Sequence, residues 1–416
     1  MEYNPRKIEE KLEPWVDRKE AIIIRGPRQS GKTTLLLHLK DKYGGHYVTL
    51  EDEDVLKSFE NAPKEFVIRF LGEERNNLFI DEAQYSKKAG KIIKQIFDLF
   101  SDRLKFFITG SGSFDVRVEI GKYLVGRAIY FELLPLDFEE FLLWKARDLQ
   151  KIFRMYREAV KEFILEEKTI DVSPAFESEF KTLLQEYLIF GGFPAIVKTD
   201  DKETKKELLK NLIRTYIEKD VFFFFNVRHM EKFRSLITYL GLNTGSILEI
   251  SSICRELKMD YKTVESYISV LVSTGIVNLI PPFYRNLTTE LKKAKKAYFI
   301  DTGLRNAVIG NFLPVENRTD RGALLENFVL NELKSLFTDN RLSYWRTAGK
   351  AEVDFILRLE DRLIPVEAKS TAKIERGFLS FLKTYKPSRA LVISEHEFKT
   401  VEIEQTKVAF IPYFFI

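Results

Sequence analysis

The sequence predicts an α/β protein of several domains whose first third is a parallel sheet with helices on both faces. Three observations predict it. Short apolar runs at 21–25, 46–50, 77–81, 105–109 and 128–131 alternate with helix-like stretches, the pattern of strands buried on both faces by crossover helices. From 132 to about 235 the pattern turns helical, and a second strand-rich unit closes the chain. At 416 residues, 45% hydrophobic and 31% charged, the chain exceeds one ordinary core. The divisions fall at 1–131, 132–235, 236–302 and 303–416.

A short helix from Pro5 to Glu13 leads into the first strand, Ala21 to Ile24. Residues 26–33 then read GPRQSGKT, a full match to G-x-x-x-x-G-K-[ST] between a strand and a helix, which is a P-loop. Gly26 and Gly31 let the backbone bend so that the loop Pro27-Arg28-Gln29-Ser30, through the amides of its last three residues, and the helix N-terminus at Thr33-Thr34 face phosphate. Lys32 reaches the β- and γ-phosphates as a point charge, and the Thr33 hydroxyl is a ligand for Mg2+. ATP and Mg2+ are the expected cofactors.

Residues 78–84 read LFIDEAQ, an apolar strand ending in two carboxylates. Asp81 is the acidic contact to magnesium, and Glu82 is either the base that orients the attacking water or a salt-bridge partner. The next apolar strand runs through ITGSGS and places Thr109 where it could sense the γ-phosphate. Transition-state charge calls for a further cation. Arg127 is the candidate, in cis or on a neighbouring subunit, against the plainer reading of a solvated arginine at a strand edge.

The bulk numbers exclude several classes. The net charge of +4 neither demands nor forbids nucleic acid, so local clusters matter more. One cysteine, Cys254, excludes a disulfide framework and a cysteine zinc cluster, and suits a small buried residue in a reducing cytoplasm. No apolar run approaches the ~20 residues that span a bilayer. The greasiest stretch, Phe222 to Phe225, reads as a helix packed into an interdomain core.

In the helical lid region, Phe138, Phe141 and Leu142 begin one amphipathic helix and Leu183, Leu184, Tyr187 and Leu188 mark another, with a break at Gly191-Gly192-Phe193-Pro194. Arg147 to Lys168 reads as a charged, solvated helical face. Residues 246–302 then give a helix, a turn at Met259-Asp260, a second helix with Tyr261, Val264, Tyr267, Ile268 and Leu271 at helical spacing, and two β-like runs at 276–280 and 297–300. Helix, turn, helix and hairpin make a winged helix-turn-helix. Its second helix offers Lys262, Thr263, Glu265, Ser266 and Ser269 to a major groove. Arg285, Lys292, Lys293, Lys295 and Lys296 between the wing strands could meet phosphates. A protein-docking module with solvated lysines is the competing reading.

The final unit reads as a helix from Gly322 to Phe337, strands at 342–346, 352–358 and 363–369, a helix from Arg376 to Tyr385, and a last strand at 390–393. Within it sit Glu326, Asp354 and Glu367-Ala368-Lys369, a D-x(n)-E-x-K pattern. Glu367 and Lys369 share one strand face. Carboxylates from adjacent strands could hold a divalent metal while the lysine stabilises charge on a phosphodiester. That makes a PD-(D/E)xK nuclease-like domain, or an ordinary charged strand edge with Lys369 pairing Asp354.

Together with LPLDFEEF at 134–141, AYFIDTGLRN at 297–306, ALLENFVLNEL, EVDFIL and IPVEAK, these strings resemble, in order and over nearly the whole chain, a prokaryotic family of AAA-type ATPases with a C-terminal domain of unknown function. The resemblance implies an ATPase core, a helical lid, a winged helix and a restriction-endonuclease-like end. Lys32, Thr33, Asp81 and Glu82 match its nucleotide positions; Glu326, Asp354, Glu367 and Lys369 match its nuclease-like ones. Gly112 stands where many members have serine. The leading expectation is an ATP-hydrolysing protein coupled to duplex or branched DNA in repair or recombination. The alternative is a nucleotide-dependent switch that binds a protein partner and carries a silent nuclease-like domain. No membrane partner is expected.

Overall fold

The computed structural model describes residues 3–111, 123–224, 227, 229–284, 293–337, 341–369 and 374–416. Strands β1 (Ala21–Gly26), β2 (His46–Thr49), β3 (Asn76–Asp81), β4 (Leu104–Ser111) and β5 (Ala128–Glu132) form one sheet in the order β2-β3-β4-β1-β5. Every pairing is parallel. Successive residues serve opposite cores. Ala21 and Ile23 pack with Leu78, Ile80, Phe106 and Ile108 on one face. Ile22 and Ile24 pack with Phe79 and Phe107 on the other. In the three central strands, β1, β3 and β4, burial on both faces removes most polar alternation. It also sets the ends of β1, β3 and β4 side by side at the carboxyl edge, where such sheets bind ligands.

The 132–235 region is not one free-standing lid, because it is shared between two cores. The helices Phe138–Lys145, Arg147–Leu165 and Glu177–Phe190 bury Phe138, Phe153, Tyr156 and Phe180 against Phe328, Phe355, Phe414 and Phe415 of the C-terminal unit. The stretch from Arg147 was expected to be solvated; instead its helix buries Phe153, Tyr156, Arg157, Val160, Phe163 and Ile164. Their three- and four-residue steps make an apolar stripe that the many intervening charges disguise. Later helices, Lys202–Thr215 and Met230–Leu242, pack Leu209, Leu212, Phe233 and Leu240 against Val264, Leu271 and Phe299. The phenylalanine run does not serve that core throughout: Phe222 is 56% exposed, and Phe225 lies outside the described residues.

The region expected to be a winged helix contains two helices and a two-stranded antiparallel pair. Ile250–Leu257 and Tyr261–Ser273 are its helices, and β6 (Val277–Ile280) pairs antiparallel with β7 (Lys296–Phe299). Cys254 is half-buried against this core. The helix Arg321–Leu336 covers the other edge of β7: Asn327 Oδ1 accepts from Phe299 N at 2.9 Å and Nδ2 donates to Phe299 O at 2.7 Å. A side-chain amide thus substitutes for a neighbouring strand and closes the edge.

The C-terminal sheet contains β8 (Arg341–Arg346), β9 (Glu352–Leu359), β10 (Arg362–Ala368), β11 (Arg389–Ser394), β12 (Lys399–Ile403) and β13 (Thr406–Pro412), in the order β12-β13-β11-β10-β9-β8. β11, expected to be the last strand, is followed by two more. β13 runs parallel to β11, and the sheet continues to β12. The chain then turns inward, and Phe414, Phe415 and Ile416 are buried.

Candidate nucleotide site and C-terminal acidic site

The loop after β1 is bent where glycine is required. Gly26 has φ 156°, and a Cβ there would lie 2.2 Å from Leu133 O; Gly31 has φ 99°. The helix Lys32–Tyr43 starts directly behind the loop. Lys32 is buried, and its Nζ donates to the carbonyls of Gly26 and Pro27 at 3.0 and 2.8 Å. Ser30 is buried and Gln29 is exposed in the left-handed region at φ 59°, while Arg28 lies beside Tyr85; Thr33 and Thr34 are exposed at the helix start. Gly275, after the helix Tyr261–Ser273, and the Gly191–Pro194 break both reach the loop. A Cβ on Gly275 would lie 3.9 Å from Pro27 Cδ, and one on Gly31 would lie 3.7 Å from Pro194 Cγ.

Asp81, at the end of β3, is held from four directions. Thr33 Oγ1 and Tyr47 Oη donate to Oδ2 at 2.7 and 2.9 Å. Thr109 Oγ1 and the amide of Glu82, the latter at 3.1 Å, donate to Oδ1. A hydroxyl and a carboxylate in direct contact at the mouth of a P-loop form an oxygen donor set that fits hydrated Mg2+. Thr109 is fully buried, and its hydroxyl donates to Asp81, so in this structure it holds that carboxylate in place.

Glu82 follows in the left-handed region at φ 54°. The buried Gln84 donates to its Oε2 and accepts from Ser111 N at 3.1 Å, so Glu82 is tied to the end of β4. Tyr47 and Gln84 had no role in the sequence reading. The one available signal for Gln84 was a polar side chain three residues after Asp81 in an otherwise buried turn.

Arg127 is misplaced for a finger in cis. Its carbonyl accepts from Ala21 N at 2.8 Å, which puts it at the opposite edge of the sheet from Gly26. The six residues of β1, at about 3.3 Å each, separate the two. Its guanidinium is paired with Asp98, Nε to Oδ1 at 2.6 Å. The side chain that does reach the loop is Arg6, buried, with Nη1 donating to Ser30 O at 2.9 Å and Nε to Glu140 Oε1 at 2.9 Å.

The LPLDFEEF string builds a second buried network. Asp137 and Glu140 form a capping box at the start of Phe138–Lys145. Arg157 Nη1 donates to Asp137 Oδ2 at 3.3 Å and Glu139 Oε2 at 3.4 Å. Glu332, from the helix that also carries Glu326, accepts from Phe138 N at 3.0 Å. Burial raises the Glu332 carboxyl to about 8, and Asp137 beside it adds to the rise.

At the C-terminal site the structure brings the four expected residues together. Asp354 on β9 and Glu367 on β10 are buried side by side: Asp354 N donates to Glu367 Oε2 at 3.3 Å and Ala368 N to Asp354 Oδ2 at 2.9 Å. Burial raises Glu367 to about 7 and holds Asp354 well above the usual carboxylate range, where Glu367 and Glu326 add to the effect. Lys369 does not simply pair Asp354; its Nζ lies 3.2 Å from Glu367 and 3.1 Å from Glu375. Among the described residues, no three acidic, histidine or cysteine side chains converge as a metal cage. The donor set does not fit a divalent metal in this arrangement.

Lys296 explains part of that misfit and corrects a second expectation. It is buried, not presented to phosphate, and its Nζ contacts Glu326 Oε1 at 3.2 Å and Glu352 Oε1 at 2.6 Å. Thr263 is also otherwise engaged, its amide and hydroxyl both donating to the capping Asp260. Lys262, Ser266 and Lys293 are exposed, and Lys295 is half-buried. Arg285 and Lys292, like Gly112, lie outside the described residues.

Comparison with known proteins agrees with the nucleotide geometry. Residues 18–142 match a family model described as an AAA domain. Residues 181–314 and 321–414 match two domains of unknown function, DUF8612 and DUF4143. The N-terminal region is thus similar to AAA domains, and two further matched regions follow it. It is 29% identical to the uncharacterized protein MJ1544 of Methanocaldococcus jannaschii over 396 residues, covering 92% of this chain and 81% of that one. It is 25% identical to the uncharacterized protein Rv2008c of Mycobacterium tuberculosis over 387 residues, covering 92% and 78%. Among solved structures, a STAND signal-transduction ATPase with a tetratricopeptide repeat sensor from Pyrococcus horikoshii is 14% identical, over 80% of this chain and 45% of that one, at a TM-score of 0.29. That overlap is too slight to argue from. No helix among the described residues is long and apolar enough to cross a membrane.

Proposed function

We propose that this chain binds and hydrolyses ATP with Mg2+ and couples the nucleotide to DNA held by its winged helix. The observation that carries the ATP reading is the 2.7 Å contact between Thr33 and Asp81 directly behind a glycine-bent loop. Lys32 would leave the carbonyls of Gly26 and Pro27 for the β- and γ-phosphates. Bound Mg2+ would neutralise charge developing on the phosphates. Glu82, held by Gln84, orients the attacking water. The coupling to DNA, duplex or branched, is supported by two features: Lys262, Ser266 and Ser269 are exposed on one face of the second helix, and Gly275 behind that helix lies against the loop at Pro27.

ATP turnover with Mg2+, measured with and without duplex, branched and single-stranded DNA, tests both halves. Lys32→Ala is expected to abolish turnover, and turnover unaffected by that substitution would refute the ATP site. DNA binding that is absent at every salt concentration would refute the coupling. The burial of Asp354 and Glu367 favours the second reading, a switch for a protein partner with a silent C-terminal domain. One stable partner recovered by pull-down, with no DNA protection, would establish that reading instead.

A further inference from the structure

We propose that Lys296 is the resident cation of the C-terminal acidic site, occupying it in place of a divalent metal and keeping it closed as long as the winged helix is docked. The inference rests on reading Glu326, Asp354, Glu367 and Lys369 as a metal-type site, and is independent of the ATP reading.

The geometry is specific. Lys296 opens β7, a strand of the winged helix, yet its ammonium lies between Glu326 of the helix Arg321–Leu336 and Glu352 of β9. Tyr298, two residues on and therefore on the same face of β7, donates to the same Glu326 oxygen at 2.5 Å. The turn at Gly245, with φ 81°, closes over that carboxylate, and a Cβ there would lie 3.3 Å from it. Glu326 is thus turned toward the winged helix.

The winged helix is fastened in this position. Asn327 and Asn331 bond the backbone of Phe299, Asn331 also reaches Ile300 O at 3.0 Å, and Lys334 Nζ donates to Asn278 at 2.7 Å. On the other side, Tyr344 N of β8 donates to Pro281 O at 3.0 Å. The buried ammonium offsets part of the charge of Glu326 and Glu352, the two carboxylates it contacts, and a second cation at the same place would be repelled. Removing the lysine while the acids stay turns a filled site into one that attracts a metal.

The test is calorimetric titration of the full chain with MnCl2, without nucleotide, at neutral pH. Wild type is expected to bind no Mn2+ in an Asp354-dependent manner. Lys296→Met is expected to gain at least about tenfold in affinity, and Asp354→Asn in that background should remove the gain. Asp354-dependent binding that is equally tight in wild type and K296M overturns the proposal but leaves the metal-type site standing. Absence of binding in both folded proteins sinks the two together. ATP turnover, measured in parallel, reports the nucleotide site separately. Melting curves show whether K296M folds; Lys296→Gln, which keeps a donor toward Glu326, is the second variant. Should both unfold, the wild type decides: Lys296 must resist acylation by a water-soluble reagent read by mass spectrometry, and ready labelling overturns the proposal.

Discussion

Glu332→Gln is expected to remove a pH dependence of stability that the wild-type chain carries. Glu332 is completely buried; one oxygen takes the amide of Phe138 and the other has no hydrogen-bond partner, with Arg157 Nη1 3.7 Å away. Burial and then Asp137 raise its carboxyl from 4.5 to about 8, against the pull of Arg157 and Lys7. The folded chain therefore holds this proton more tightly than the unfolded chain does. The stability it contributes is fully present below about pH 4.5 and is lost as pH rises through about 8. A gap of about 3.5 pH units, at about 1.4 kcal/mol each, sets a ceiling of about 5 kcal/mol. Glutamine imitates the protonated acid and does not titrate. Urea unfolding from about pH 5 to about pH 8.5 should show E332Q gaining on wild type by a few kcal/mol across the series. Asp301, buried and raised to about 6, titrates alike in both proteins and drops out of the difference. Parallel pH profiles for the two proteins would refute the argument.

Three further outcomes follow from the same geometry. Thr109→Val removes a donor to Asp81 without changing shape, so ATP turnover should need several-fold more Mg2+; lost turnover at an unchanged Mg2+ requirement would instead restore a phosphate-sensing role. Arg127→Ala should leave turnover of the isolated chain within about twofold, since its pair with Asp98 lies at the far edge of the sheet; a drop of about 100-fold would contradict that placement. Phe415→Ala should cost about 3–5 kcal/mol in urea unfolding, because the ring is fully buried and stacked on Tyr156 at 3.9 Å; a loss below about 1 kcal/mol would refute it.

Much of the nucleotide core was legible because its physics is local. A strand, a glycine-bent loop and a helix follow one another in the chain, and the five apolar runs became β1 to β5. The C-terminal acids were legible for a related reason: β9 and β10 form a hairpin, so Asp354 and Glu367 are neighbours by register. The failures share another cause. Lys296 reads as one more residue of a basic run, and only the docking of β7 beside Glu326 decides that it is buried. Arg127 follows a Leu-Val-Gly turn that looks like a functional loop; its distance from Gly26 depends on strand direction. Arg157 lies in a stretch dense with charge, where its burial depends on three carboxylates, Asp137 and Glu139 at the start of the preceding helix and the distant Glu332.

Those carboxylates give the LPLDFEEF string a physical purpose. From Ser30 in the nucleotide loop, Arg6 reaches Glu140. Glu140 is locked by the capping box to Asp137, and Asp137 is bound by Arg157 and by Ser335 of the helix Arg321–Leu336. Six residues before Glu332 on that same helix stands Glu326, the carboxylate that holds Lys296. A rigid helix therefore has one end in contact with the network behind the phosphate loop and the other in the acidic site. Displacing Ser30 O on nucleotide binding would act first on Arg6, whose buried guanidinium has no solvent to turn to and must carry Glu140 with it or lose a charge-assisted bond of about 1.5–3 kcal/mol. That energy is comparable to common allosteric couplings, so a nucleotide that displaced Ser30 O would bias where the helix Arg321–Leu336, and with it β7, comes to rest.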